Sequence, residues 1–263
     1  MPVVVDADLR PLSQKDFGRV AYGVMNHVFA VHQELGRFFE EDIYRDALAI
    51  RCPGAETEVK IEVRFDDFVK EYFIDLLIDG GAPFELKTVR DLSDAHRSQM
   101  LNYLMLAGLS HGKLISLRPE SVQHEFVNSH STLATRRIFQ VEDQGWQEPG
   151  MDRGPLLSWF SRFVEDVGTG LDLQLYTAAV THFFGGDELA VRPVEIKVGS
   201  RTIGSQKVGL ADVDWAFKVT TIPEKAIPLF EEHLRRFLNH TSLNGCHWIN
   251  VTRDRITFRT LRK

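Results

Sequence analysis

Two carboxylates ten residues apart, Asp75 and Glu85, with Lys87 two further on, are the residues of this sequence best suited to chemistry. Between them lies Asp79-Gly80-Gly81, whose members tolerate the positive φ of a tight turn. With a loop of those three residues, Ile78 faces Ala82 and Asp75 faces Glu85 across a hairpin. Side chains alternate along a strand, so Lys87 joins the same face. Opposed like charges on an apolar hairpin destabilise it unless something compensates them. A hard divalent cation does so, because Mg²⁺ is typically held by one or two carboxylates and keeps several waters. Such an ion generates a hydroxide nucleophile and stabilises charge developing on a phosphate, while Lys87 orients the attacking water or neutralises the anion. The same residues also fit a plain hairpin in which Glu85 pairs with Lys87 and Asp75 is solvated. Glu-x-Lys recurs at Glu58 and Glu195, but there Leu48 and Gly185 stand ten residues earlier. Only the middle copy has an acid at that position.

The elements that must carry these residues follow from local patterns. Ser13-Gln14-Lys15-Asp16 resembles a capping box. Phe17, Val20, Val24, Val28, Val31 and Leu35 then form one helical stripe. A second helical run goes from Phe38 to Arg51 and stops at Pro53-Gly54, with Glu41 and Tyr44 on one face. Val59 to Phe65 alternates as a half-buried strand and turns at Asp66-Asp67 into the hairpin. Asp94 to Leu109 reads as a helix that aligns His96, Gln99 and Tyr103, and strands follow at 112–117 and 122–127. Helix, helix, three strands, helix, strand is an α/β sandwich with a mixed central sheet.

The chain's 263 residues, 43% hydrophobic and 26% charged, suit one large or two ordinary globular domains. No apolar run approaches a membrane span, and the start lacks a basic region leading into an apolar one, so the expectation is a cytoplasmic protein. Cys52 and Cys246 supply neither a disulfide framework nor a zinc site and read as reduced, buried thiols. A net charge of −6 argues against non-specific coating of nucleic acid. Residues 225–263 nevertheless carry eight basic against three acidic residues, either a phosphate-contacting face or a solvated surface.

Leu35-Gly36-Arg37-Phe38-Phe39-Glu40-Glu41-Asp42-Ile43-Tyr44 resembles the signature of the GxxExxY proteins, a branch of the PD-(D/E)XK nuclease superfamily. The hairpin Ile74-Asp75-Leu76-Leu77 with Phe84-Glu85-Leu86-Lys87 is similar to that superfamily's metal-binding core. The run from His96 to Leu104 resembles the helix that follows it, including a QxxxY element. Segments 112–117 and 125–128 resemble the closing strands, so the resemblance covers about residues 13–128. One departure is Phe38, which stands where the family has glycine three residues before Glu41. The resemblance implies a restriction-endonuclease-like fold. It implies Mg²⁺ or Mn²⁺ at Asp75, Glu85 and the backbone carbonyl of Leu86, with Lys87 as catalytic lysine and Glu41 as auxiliary acid. Gln99, Tyr103 and Tyr44 would position substrate. The implied reaction is phosphodiester hydrolysis in nucleic acid, DNA ahead of RNA.

The second half repeats the first in outline. Gly36, Tyr44 and Ala47 recur as Gly168, Tyr176 and Ala179, each at an offset of 132 residues. Phe84-Glu-Leu-Lys87 recurs as Trp215-Ala-Phe-Lys218 at an offset of 131, and Gly112 as Gly245 at 133. A tandem duplication is expected, with a nuclease-like domain at 1–128, a linker at 129–153 and a degenerate, metal-free copy at 154–263. Leu173, Gln206 and Ala216 replace Glu41, Asp75 and Glu85 at these offsets, leaving Lys218 alone. The second copy would serve for binding or as an intramolecular pseudo-dimer partner, with homo-oligomers as another arrangement. The alternative reading is a non-catalytic nucleic-acid-binding or assembly module that keeps the nuclease fold.

Overall fold

Ser13 opens the first helix by accepting the amide of Asp16, and Gly36 closes it in a positive-φ conformation. The structure, a computed structural model, describes residues 2–149 and 155–263. It divides into two units, Met1–Leu133 and Ala134–Lys263. Both are mixed α/β.

In the first unit β1 (Val3–Val5) precedes α1 (Gln14–Leu35), α2 (Glu41–Arg51), β2 (Ala55–Phe65), β3 (Phe68–Ile78) and β4 (Ala82–Lys87). α3 (Asp94–Ala107), β5 (His111–Ser116) and β6 (Gln123–Asn128) complete it. The strands form one sheet in chain order. Neighbours are antiparallel except β4 and β5, which are parallel and joined through α3. The predicted stripe on α1 is the buried one: Phe17, Val24, Val28 and Val31 pack with Tyr44 and Leu48 of α2 on Leu76, Phe84, Leu86 and Ile115. Each large side chain so buried contributes about 1.5–3 kcal/mol. α3 lies close on β5, since a Cβ on Gly112 would stand 2.6 Å from the Met100 sulfur. One boundary differs from expectation. α2 begins at Glu41 rather than Phe38, and Phe38 is exposed because residues 37–40 run as a loop.

The second unit begins with α4 (Leu133–Arg136) and β7 (Gln140–Glu142). The expected linker is therefore structured over part of its length, and β7 pairs in parallel with the last strand. Residues 150–153 of that expected linker, and residue 154 after it, lie outside the described residues. α5 (Leu156–Val167), α6 (Leu173–Phe183), α7 (Asp187–Ala190), β8 (Val191–Val198), β9 (Arg201–Asp212) and β10 (Trp215–Thr220) come next. α8 (Ile227–Asn239), β11 (Gly245–Val251) and β12 (Arg255–Arg262) end the chain. Leu156, Phe160, Phe163, Val164 and Val167, spaced at three and four residues along α5, are all buried. The sheet order is β7-β12-β11-β10-β9-β8. From β8 to β12 each strand pairs with the next, antiparallel except for β10 with β11. That is the pairing pattern of β2 to β6. The extra strand differs: β1 flanks β2, whereas β7 flanks β12. Among the described residues no helix is long and apolar enough to cross a membrane. Both cysteines are buried free thiols.

Candidate active site

β3 and β4 pair at Ile78 with Ala82, Leu77 with Pro83 and Leu76 with Phe84, and then part. The loop is the expected Asp79-Gly80-Gly81, with Asp79 and Gly80 at positive φ. At the fork the carboxylate of Asp75 replaces a ladder partner: its Oδ2 accepts the Leu86 amide at 2.7 Å. Asp75, Glu85 and Lys87 thus converge where the strands separate. Lys87 Nζ lies 2.7 Å from Glu85, 3.4 Å from Glu41 and 4.0 Å from Asp75. One ammonium faces three carboxylates.

Glu85 is the most buried of the three acids, with its side chain 1% exposed. Its Oε2 is buried without a hydrogen-bond partner. Burial, followed by the charge of Asp75, pushes its pKa up to about 8 against the pull of Lys87. Asp75 and Glu41 are also raised, chiefly by burial. Burial works to lower Lys87, but the charge and hydrogen bond of Glu85, with Asp75 and Glu41, hold it above its ordinary value. The cluster is short of positive charge.

Surrounding groups fix this geometry. Glu41 opens α2. Tyr44, fully buried, donates to the Gly36 carbonyl at 2.7 Å and accepts the Phe39 amide at 3.3 Å. Both bonds of its hydroxyl run to the loop before α2. Arg118 donates to the carbonyls of Thr88, Arg37 and Phe39, tying the end of β4 to the same loop. Arg118 was not read from the sequence, since an isolated arginine after a strand carries no local signal. On α3, Gln99 donates to the Tyr103 hydroxyl at 2.8 Å. Burial, then the charge of Glu85, pushes Tyr103 up to about 12. His96 is a cap whose Nδ1 accepts the Ser93 amide.

In the second unit the groove beside β9 and β10 is lined by no carboxylate. Tyr176 repeats the tyrosine anchor, donating to the Gly168 carbonyl and accepting the Leu171 amide. β9 and β10 pair at Asp212 with Trp215 and Leu210 with Ala216, with a register shift between. The residue facing Ala216 is therefore Leu210, not the expected Gln206, which pairs with Val194. A two-residue turn at Val213-Asp214 replaces the three-residue loop and moves the register. Beyond the fork lies a groove of about 350 Å³ lined by Leu173, Gln206, Ala216 and Lys218 among others.

Among the described residues no group of three or more His, Cys, Asp or Glu side chains stands ready to hold a metal ion. In the first unit Lys87 sits among the acids instead. The residues still fit a hard cation. The donors are carboxylate oxygens, and buried Glu85 Oε2 has no other partner. No curated protein matches the chain. A solved structure described as "Crystal structure of SSO0001" is 25% identical over 46% of this chain and 62% of that chain, less than two thirds of its length. Its TM-score of 0.29 carries no argument. Residues 18–128, which contain the whole cluster, match the family model of the PD-(D/E)XK nuclease superfamily, whose members are generally nucleases that use divalent metals such as Mg²⁺.

Proposed function

We propose that the chain is a Mg²⁺- or Mn²⁺-dependent nuclease of the GxxExxY type that hydrolyses phosphodiester bonds, DNA ahead of RNA. Its active site is the fork of the first unit. The observation that carries this reading is the convergence of Glu41, Asp75 and Glu85 on one lysine, with a buried carboxylate oxygen left unpartnered.

Asp75, Glu85 and the Leu86 carbonyl would hold the ion. When bound, it supplies Lewis-acid stabilisation of the phosphate and an acidified water. Lys87 keeps its proton among the acids, so its ammonium is available to orient the attacking water and offset charge on the phosphoryl oxygens. Glu41, partly exposed at the start of α2, is placed to accept a proton from that water. Gln99 and Tyr103, joined by their hydrogen bond, present donors from α3 to the substrate.

We read the second unit as a degenerate copy that binds rather than cuts. Its support is the repeated strand pairing, the repeated tyrosine anchor and the lack of acids at its fork. Incubating labelled DNA and RNA with the protein and Mg²⁺, with EDTA as control, tests the reading. Metal-dependent cleavage lost in Lys87→Ala supports it. No cleavage of any substrate overturns it in favour of a binding module.

A further inference from the structure

We propose that the groove at the fork of the second unit, with the β8–β9 ribbon that leads to it, grips the phosphodiester backbone of a nucleic-acid strand without cutting it. The ligand class rests on the nuclease reading above; the site itself rests on what lines it. Around the groove stand Thr177, Thr181, Gln206, Lys207 and Lys218, all able to donate hydrogen bonds, and no carboxylate. Leu173 opens α6 as Glu41 opens α2. An anion entering here meets a lining that includes a lysine from each of β9 and β10 and no carboxylate, the reverse of the first unit's fork. Among the described residues neither Lys207 nor Lys218 has a carboxylate within ion-pair distance, so neither must leave a partner to bind. The volume is at the small end of ligand pockets, on the scale of one nucleotide.

The ribbon extends this surface. Residues 201–207 of β9 are all exposed, and successive side chains point to opposite faces, so both faces of the ribbon are open to solvent. From Arg201 to Lys207 the β9 strand carries Arg201 and Lys207 and no acid, while on β8 Lys197 is paired with Glu195 at 3.1 Å. Arg201 and Lys207 are separated by about 20 Å of strand, enough to follow a backbone past a single nucleotide. The ribbon is also held in place, since the backbone of Lys197 exchanges hydrogen bonds with the carbonyl and ring of His240 at the end of α8. A two-stranded ribbon with donors on a fixed base is one of the shapes proteins lay against nucleic acid. A protein segment would gain little from an open ribbon this polar.

The test uses the full chain in EDTA, with fluorescein-labelled single-stranded DNA and RNA followed by anisotropy. Without a divalent ion the first unit's acids repel phosphate, so binding reports on the second unit. Lys218→Glu and Lys207→Glu should each weaken binding roughly tenfold, while Lys218→Arg retains it. Lys218→Ala should lower the slope of log affinity against log salt by about 0.7, one phosphate contact. Lys225→Glu, an exposed lysine away from the groove, serves as the control. The proposal is overturned if the groove variants bind as the unmodified chain does, or if Lys225→Glu weakens binding as much. Metal-dependent cleavage persisting beside that result would leave the nuclease reading standing. An unmodified chain that neither binds in EDTA nor cleaves with Mg²⁺ overturns both.

Discussion

Glu85 is the residue on which the first unit's chemistry turns, because it is buried and only half satisfied, by Lys87 on one oxygen. Asp75→Asn and Glu85→Gln should therefore weaken Mn²⁺ binding at least about tenfold by calorimetry, with the circular dichroism spectrum unchanged. Equal affinity in Asp75→Asn and the unmodified chain would place the ion elsewhere. On the proposed mechanism, in which its ammonium would serve the water and phosphate, Lys87→Ala should lower cleavage by about a hundredfold or more while Mn²⁺ affinity is largely kept. Glu41→Gln should cost less. The sequence made Asp75, Glu85, Lys87 and the Gln99–Tyr103 pair legible because spacing along one hairpin or one helix fixes them. The bonds of the Tyr44 hydroxyl to the Gly36 carbonyl and the Phe39 amide were not legible, because the loop before α2 brings them near. Arg118 was invisible, as the carbonyls it binds lie far away in sequence.

The hairpin turn is the element under the tightest constraint. Gly80 has φ +68, and a Cβ there would stand 2.2 Å from the Asp8 carbonyl oxygen. Gly80→Ala should cost about 2 kcal/mol or more, read as a lower denaturation midpoint with unchanged m-value. A loss below about 0.5 kcal/mol would mean the turn and its neighbour are not held together. Elements with strong periodicity were legible: α1 and the strands from β2 to β6 lie close to their predicted positions. The start of α2 was not, because Phe38 and Phe39 extend the helical pattern while Tyr44 and Arg118 hold the backbone before Glu41 in a loop. The fork in the sheet was also unreadable. Spacing alone cannot say where a ladder ends and a carboxylate takes over an amide.

At the scale of the molecule, constant offsets set Gln206 opposite Ala216, whereas the turn at 213–214 puts Leu210 there. The second unit also carries a pH liability. Burial between Trp146 and Trp215 holds the His247 pKa down to about 4, against the pull of a backbone hydrogen bond at Gln147. The unfolded chain takes up this proton near pH 6.5 and the folded one does not, so stability is full above that pH and falls as pH drops towards 4. The loss approaches about 3 kcal/mol. Thermal melts of the full chain at pH 7.5 and 5 should show a smaller pH difference in His247→Gln; an identical difference would remove His247 as the cause. The short flanking strands have a consequence for aggregation. β1 closes the β2 edge, and Arg10 donates its amide to the Gly80 carbonyl, so the first ten residues cover both an open strand edge and the glycine turn. Shaving residues 2–10 should bare Ile61–Val63 of β2 to edge-to-edge pairing and raise light scattering at concentrations where the intact chain stays clear. Removing β7 would instead uncover β12 at the far side of the other sheet, so the two units guard opposite ends of the same strand order.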